Sequence, residues 1–94
     1  MKTLIKHLLD FSGRVENITV PIDSQVLSAR INGARHPFLW ISKGSADVNK
    51  KINVCVLQEG MEIPNGFSYL DSFDNLDTFG YFTTNWCVFI KEDY

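Results

Sequence analysis

Few side chains in this sequence could carry chemistry. They are His7, His36, Cys55, Cys87 and the run Asp71, Asp74, Asp77. A general acid–base pair or a metal centre needs an imidazole beside a nucleophile or carboxylates. His36 stands in an Arg35-His36-Pro37 turn, where an exposed loop residue is expected. His7 stands in the opening apolar run, where a strand or helix surface is expected. No Gly-x-Ser-x-Gly, His-Glu-x-x-His or phosphate-cradling glycine loop occurs. No catalytic residue, cofactor or metal is therefore expected.

Cys55 and Cys87 both lie inside apolar, strand-like runs with no Cys-x-x-Cys spacing. They read as buried thiols acting as small hydrophobes rather than metal ligands. A disulfide would require their strands to be neighbours. Asp71, Asp74 and Asp77 recur at every third position. Calcium loops of the EF-hand type place acids at alternate positions and add a distal glutamate, which this run lacks. A solvated acidic turn is the simpler expectation. The same region is rich in aromatics, with Phe67, Tyr69, Phe73, Phe79, Tyr81, Phe82, Trp86 and Phe89. Aromatic residues either fill a sheet core or serve an interface. Their mixture with acids suits a basic protein partner, and Tyr69, Asp71, Asp74, Asp77, Phe79 and Tyr81 are the expected contact residues.

The elements that must position these residues read as strands. Val26 to Ile31 and Phe38 to Ile41 flank a segment opening with Asn32-Gly33 and closing with Pro37. Asn-Gly readily takes positive φ, so this stretch predicts a central hairpin. Its alternation places Leu27, Ala29 and Ile31 toward the core, and Trp40 is expected as a core anchor. Met1 to Phe11 fits a short helix or a strand. Val15 to Val20 alternates and is closed by Pro21. Ile52 to Leu57 alternates after a polar loop over Lys43 to Lys51. Phe67 to Phe73 and Tyr81 to Lys91 complete the set, separated by a turn-rich Asp74 to Gly80. About six or seven short strands punctuated by turns predict an all-β chain, an antiparallel sandwich or partly open barrel.

Ninety-four residues with 45% hydrophobic content suffice for one folded domain over 1–94 and argue against disorder. No apolar run approaches the roughly 20 residues that span a bilayer. The opening segment is broken by Lys6 and His7 and lacks a small-residue cleavage site, so an intact cytoplasmic chain is expected. Asn17-Ile18-Thr19 then has no glycosylation role. The net charge of -2 is uneven: residues 1–51 carry +4 and residues 52–94 carry -6. A mildly basic half with only Lys50-Lys51 as a cluster does not predict direct nucleic-acid binding.

Val20-Pro21, Val26-Leu27-Ser28 and Leu39-Trp40 resemble the opening of a family of short, β-rich phage and prophage proteins of unknown role. Gly60 with Ile63-Pro64, Tyr69 to Phe73, and Val88-Phe89 with Glu92 are similar to that family's later loop and strands. The chain departs from the family over Lys43 to Lys51. It also has Gly60-Met61-Glu62-Ile63-Pro64 where the family shows Gly-His-Pro. The resemblance implies a small β domain of phage origin in the host cytoplasm, and no activity. The resulting expectation is a non-enzymatic accessory protein that binds a host protein or itself. Two alternatives stand beside it. One is an acidic nucleic-acid mimic, which needs Glu59, Glu62, Asp71, Asp74, Asp77, Glu92 and Asp93 on one face. The other is a virion component.

Overall fold

A computed structural model of the chain describes residues 1–31, 36–76 and 83–93. The described residues form seven strands: β1 (Thr3–Leu8), β2 (Glu16–Pro21), β3 (Gln25–Ile31), β4 (Pro37–Lys43), β5 (Asn49–Gln58), β6 (Ser68–Leu76) and β7 (Thr83–Asp93). They make two antiparallel sheets, ordered β1-β4-β3 and β2-β5-β7-β6. The all-β sandwich follows the sequence. Among the described residues there is no helix, and so none long and apolar enough to cross a membrane.

The expected hairpin is the pairing of β3 with β4, in which Arg30 faces Phe38 and Ile31 faces Pro37. Its Asn32-Gly33 turn lies outside the described residues. The ribbon does not end with those strands. β2 continues β3 backwards and β5 continues β4 forwards, and these two extensions pair from Pro21–Asn49 to Glu16–Val54. The two-stranded ribbon thus turns a corner between the sheets at residues 22–24 and 44–48. Ile22 N donates to Val48 O at 2.8 Å, and Ser24 Oγ accepts from Gly44 N at 2.9 Å. Asp23 accepts from the N–H groups of Ala46 at 3.1 Å and Ser45 at 3.2 Å. Those two donors hold its carboxyl below the usual range. A side chain at Gly44 would collide with that carboxylate, so glycine is what lets the corner close. The polar loop expected over Lys43 to Lys51 shortens to 44–48, because β4 reaches Lys43 and β5 begins at Asn49.

Alternate residues of the strands meet between the sheets. Ile18 and Val20 of β2, Ile52, Val54 and Val56 of β5, and Trp86 and Val88 of β7 face Val26, Ala29, Leu39 and Ile41. Each fully buried aliphatic side chain contributes about 1.5–3 kcal/mol. Phe11 caps one end of this core, its ring 4.7 Å from that of Trp86.

Two expectations are corrected by packing. β3 carries a register shift between Val26 and Ser28, so Val26 and Ala29 both point inward. Leu27, expected to face the core, is 49% exposed. A bulge adds one residue and reverses the alternation on its far side, which a period-two reading cannot anticipate. Trp40 does not sit between the sheets. It is half-buried on the outer face of β4, edge-to-face with Phe38 at 5.3 Å. The opening run, ambiguous in sequence, is the strand β1, paired with β4 from Thr3–Lys43 to Leu8–Phe38.

Candidate protein-interaction surface

Three of the six expected contact residues can be placed. Tyr69 is 57% exposed on the outer face of the four-stranded sheet. Its ring lies edge-to-face with Phe89 at 6.0 Å, and its hydroxyl donates to Ser72 Oγ at 3.1 Å. Asp74 is exposed on β6. Asp77, Phe79 and Tyr81 lie outside the described residues.

Asp71 belongs to the fold more than to a surface. β6 has its own register shift between Tyr69 and Asp71, and this bulge aims the Asp71 carboxylate at the neighbouring sheet. Oδ2 accepts from the backbone N–H of Ala29 at 3.2 Å and from Arg30 Nη1 at 2.5 Å. The carboxylate therefore clasps the edge strand β3 to the edge strand β6. Burial pushes its pKa up, but the N–H groups of Ser72 and Ala29 and the Arg30 guanidinium outweigh that and hold it low.

The other carboxylates do not gather with it. Glu92 turns to the inner side and accepts from the buried Lys50 at 3.3 Å. Asp93 accepts from Asn53 Nδ2 at 2.7 Å and stands 3.9 Å from Lys91. Of the acids a mimic would need on one face, Asp71 and Glu92 turn inward and Asp74 faces outward, while Asp77 lies outside the described residues.

The cysteines fall on neighbouring strands, β5 and β7, but not opposite one another. Cys55 faces Phe89, and Cys87 faces Leu57, so the two are diagonal and both thiols are free. Burial raises the Cys55 pKa. The β5–β6 connection passes back over β7 on this outer face, bringing Gly66 beside the Lys91 side chain. Beneath it is a groove of about 190 Å³ lined by Leu57, Met61, Ile63, Cys87 and Phe89. A wider cleft of about 460 Å³ lies by Thr19, Lys51 and Asp93. Neither contains a histidine. Among the described residues no three His, Cys, Asp or Glu side chains stand together as metal ligands do. His7 is half-buried on β1, and that burial lowers its pKa.

The surface that sequence reasoning passed over is the outer face of the β1-β4-β3 sheet. Leu4 is 61% exposed, Leu8 60% and Leu27 49%. Leu4 and Leu8 flank Lys6 on β1, while Leu27 stands at the bulge of β3 across β4; the Lys6 ammonium lies 4.7 Å from the Phe38 ring centre and 5.5 Å from that of Trp40. In sequence this run fits a short helix as well as a strand, so periodicity alone does not place these side chains. No strand of this sheet contains an acidic residue, whereas Lys6, Arg30 and Lys43 all lie in it. The acids of the strands fall in the other sheet.

No known protein family, curated protein or solved structure matches the chain.

Proposed function

We propose that this chain is a non-enzymatic protein-binding domain, an accessory protein of the kind its resemblance to short phage proteins implies, acting in a bacterial host's cytoplasm. One observation carries the reading. Exposed Leu4 and Leu8 flank Lys6 beside Phe38 and Trp40, with exposed Leu27 on β3 of the same sheet, and no strand among the described residues covers that face. Contiguous apolar surface of this kind marks interaction sites in stable proteins. The contact region thereby moves from the aromatic and acidic final third to the three-stranded sheet. Tyr69 and Asp74 remain a second exposed area without a comparable apolar cluster.

The test compares proteins retained from a bacterial lysate by the tagged chain and by its Leu27→Asp variant. Leu27 is exposed, so the substitution leaves the core intact. Loss of a specific retained protein supports the reading, and an unchanged set refutes it. Light scattering after size exclusion, at low and high salt, shows whether the partner is a second copy.

A further inference from the structure

The backbone beside the Leu4, Lys6 and Leu8 face has an open hydrogen-bonding edge among the described residues. Leu9 N donates to Pro37 O at 2.8 Å, and the β1–β4 register is unbroken. In an antiparallel pair, hydrogen-bonded and non-bonded positions alternate. His7, Ile5 and Thr3 therefore bond to β4, while the N–H and C=O groups of Leu4, Lys6 and Leu8 point away from it. Among the described residues no strand pairs with that side of β1. β1 thus offers three regularly spaced donor–acceptor pairs alongside two exposed leucines and one lysine.

The other open edge, β2, differs. Ile22 N donates to Val48 O, so by the same alternation Asn17, Thr19 and Pro21 point outward. Pro21 has no N–H, and its C=O already accepts from Ser24 N at 2.9 Å. That edge is polar and blunted, as edges that avoid pairing are. The β3 and β6 edges are clasped together by Asp71.

Resting on the protein-binding reading, we infer that β1 accepts an extended segment of a partner protein as an added antiparallel strand. The segment reads apolar-x-acidic-x-apolar, with its carboxylate opposite Lys6 and its apolar side chains opposite Leu8 and Leu4. Strand addition draws affinity from main-chain bonds and specificity from alternate side chains. Directly opposite residues share a face at about 5.5 Å between Cα atoms, within reach of a Lys–carboxylate pair. A second copy fits less well. Pairing Leu4 with Leu8 of a two-fold mate sets Lys6 against Lys6, a like-charge contact that opposes association. The absence of acids from all three strands of this sheet favours an acidic segment over a basic one.

The experiment pans a displayed library of random nine-residue segments on the full chain and on two variants. Lys6→Glu inverts the charge. Leu8→Pro removes an outward N–H while leaving the bonds to β4 in place. Enrichment of apolar-x-acidic-x-apolar on the unaltered chain is expected, with a change to a basic central residue on Lys6→Glu. A synthetic peptide of the enriched type should slow amide exchange at Leu4, Lys6 and Leu8 and bind at least tenfold more weakly to Leu8→Pro. Enrichment independent of residue 6, no enrichment, or peptide binding unchanged by Leu8→Pro overturns the inference. The two readings fail separately. Lysate partners lost on Leu27→Asp but kept by Leu8→Pro leave the binding face standing and remove the added strand. Partners kept by both variants remove both.

Discussion

Removing the Asp71 carboxylate tests whether one side chain closes one side of the sandwich. Asp71→Ala strands the Ala29 N–H, and Ala29 is fully buried. An orphaned buried donor costs about 1–3 kcal/mol. The Arg30 partner is 57% exposed, so that ion pair adds less than about 1 kcal/mol. The expected loss is about 2–3 kcal/mol for Asp71→Ala and under about 1 for Arg30→Ala. Asp71→Asn keeps an oxygen for Ala29 and should fall between them. In urea, with a slope of about 1–3 kcal/mol per molar, the alanine variant's midpoint should drop by roughly 1–2 M. The acid limb supplies an independent reading. The folded carboxyl titrates below its ordinary 3.8. Its contribution is therefore present above that value and is lost as pH falls through the folded pKa. Asp71→Asn should flatten that limb. If Asp71→Ala costs no more than Arg30→Ala, the bond to the backbone is not what joins the edges, and the clasp is refuted.

Trp40→Ala should cost only about 1–2 kcal/mol in urea unfolding, against about 2–5 for Leu39→Ala, because Leu39 and not Trp40 lies between the sheets. Gly44→Ala should cost about 1–2 kcal/mol by displacing the Asp23 carboxylate from Ser45 and Ala46, read as a lower thermal midpoint. Burial lowers the pKa of His7, so its neutral form contributes stability above its ordinary 6.5 that is lost as pH falls through the folded value. Stability measured from pH 8 to 5 should show this decline, and His7→Gln should lack it. In thiol labelling, half-buried Cys87 should react well before Cys55, which is 1% exposed with a raised pKa, and Cys87→Ser should remove the fast phase.

Alternation was enough to read most of the architecture. Ile52, Val54 and Val56, and likewise Trp86, Val88 and Ile90, share the faces that their period-two spacing implies. Pro21 closes its strand as proline does where an N–H is not needed. What alternation cannot carry is a change of phase. The bulges at Leu27 and Leu70 each insert one residue. They expose Leu27 while turning Val26 and Ala29 inward, and they aim Asp71 at β3. No local residue type marks either bulge. Trp40 was misplaced for a different reason. The run Phe38 to Ile41 is apolar on both faces, and sequence does not say which face meets the other sheet. The acidic run was legible as residues but not as positions, since Asp71 is claimed by a strand more than forty residues away in sequence. The leucines of β1 were legible only as an alternation, because exposure depends on β1 standing at the edge.

The uneven charge of the chain acquires meaning from the order of the strands. β1, β3 and β4 all come from the basic first half and make one sheet alone, while β6 and β7 come from the acidic half and β5, which opens with Asn49, Lys50 and Lys51, straddles the boundary. β2 comes wholly from the basic half yet joins the other sheet, beside β5. A molecule with one basic and one acidic sheet could stack head to tail on its own copies, and such contacts do not close into a ring of fixed size. The fold spends its acids in ways that oppose this. Asp71 is committed to Ala29 and Arg30, Glu92 to Lys50, and Asp93 to Asn53 with Lys91 beside it. Lys6 leans on the Phe38 and Trp40 rings and, among the described residues, makes no ion pair. Internal pairing thus engages Asp71, Glu92 and Asp93 and, among the described residues, leaves Lys6 outside any ion pair between two exposed leucines. A partner that supplies the missing carboxylate gains electrostatic steering in the encounter, and its association rate should fall as salt rises. Stacked copies, in which Asp71, Glu92 and Asp93 are already engaged, gain less.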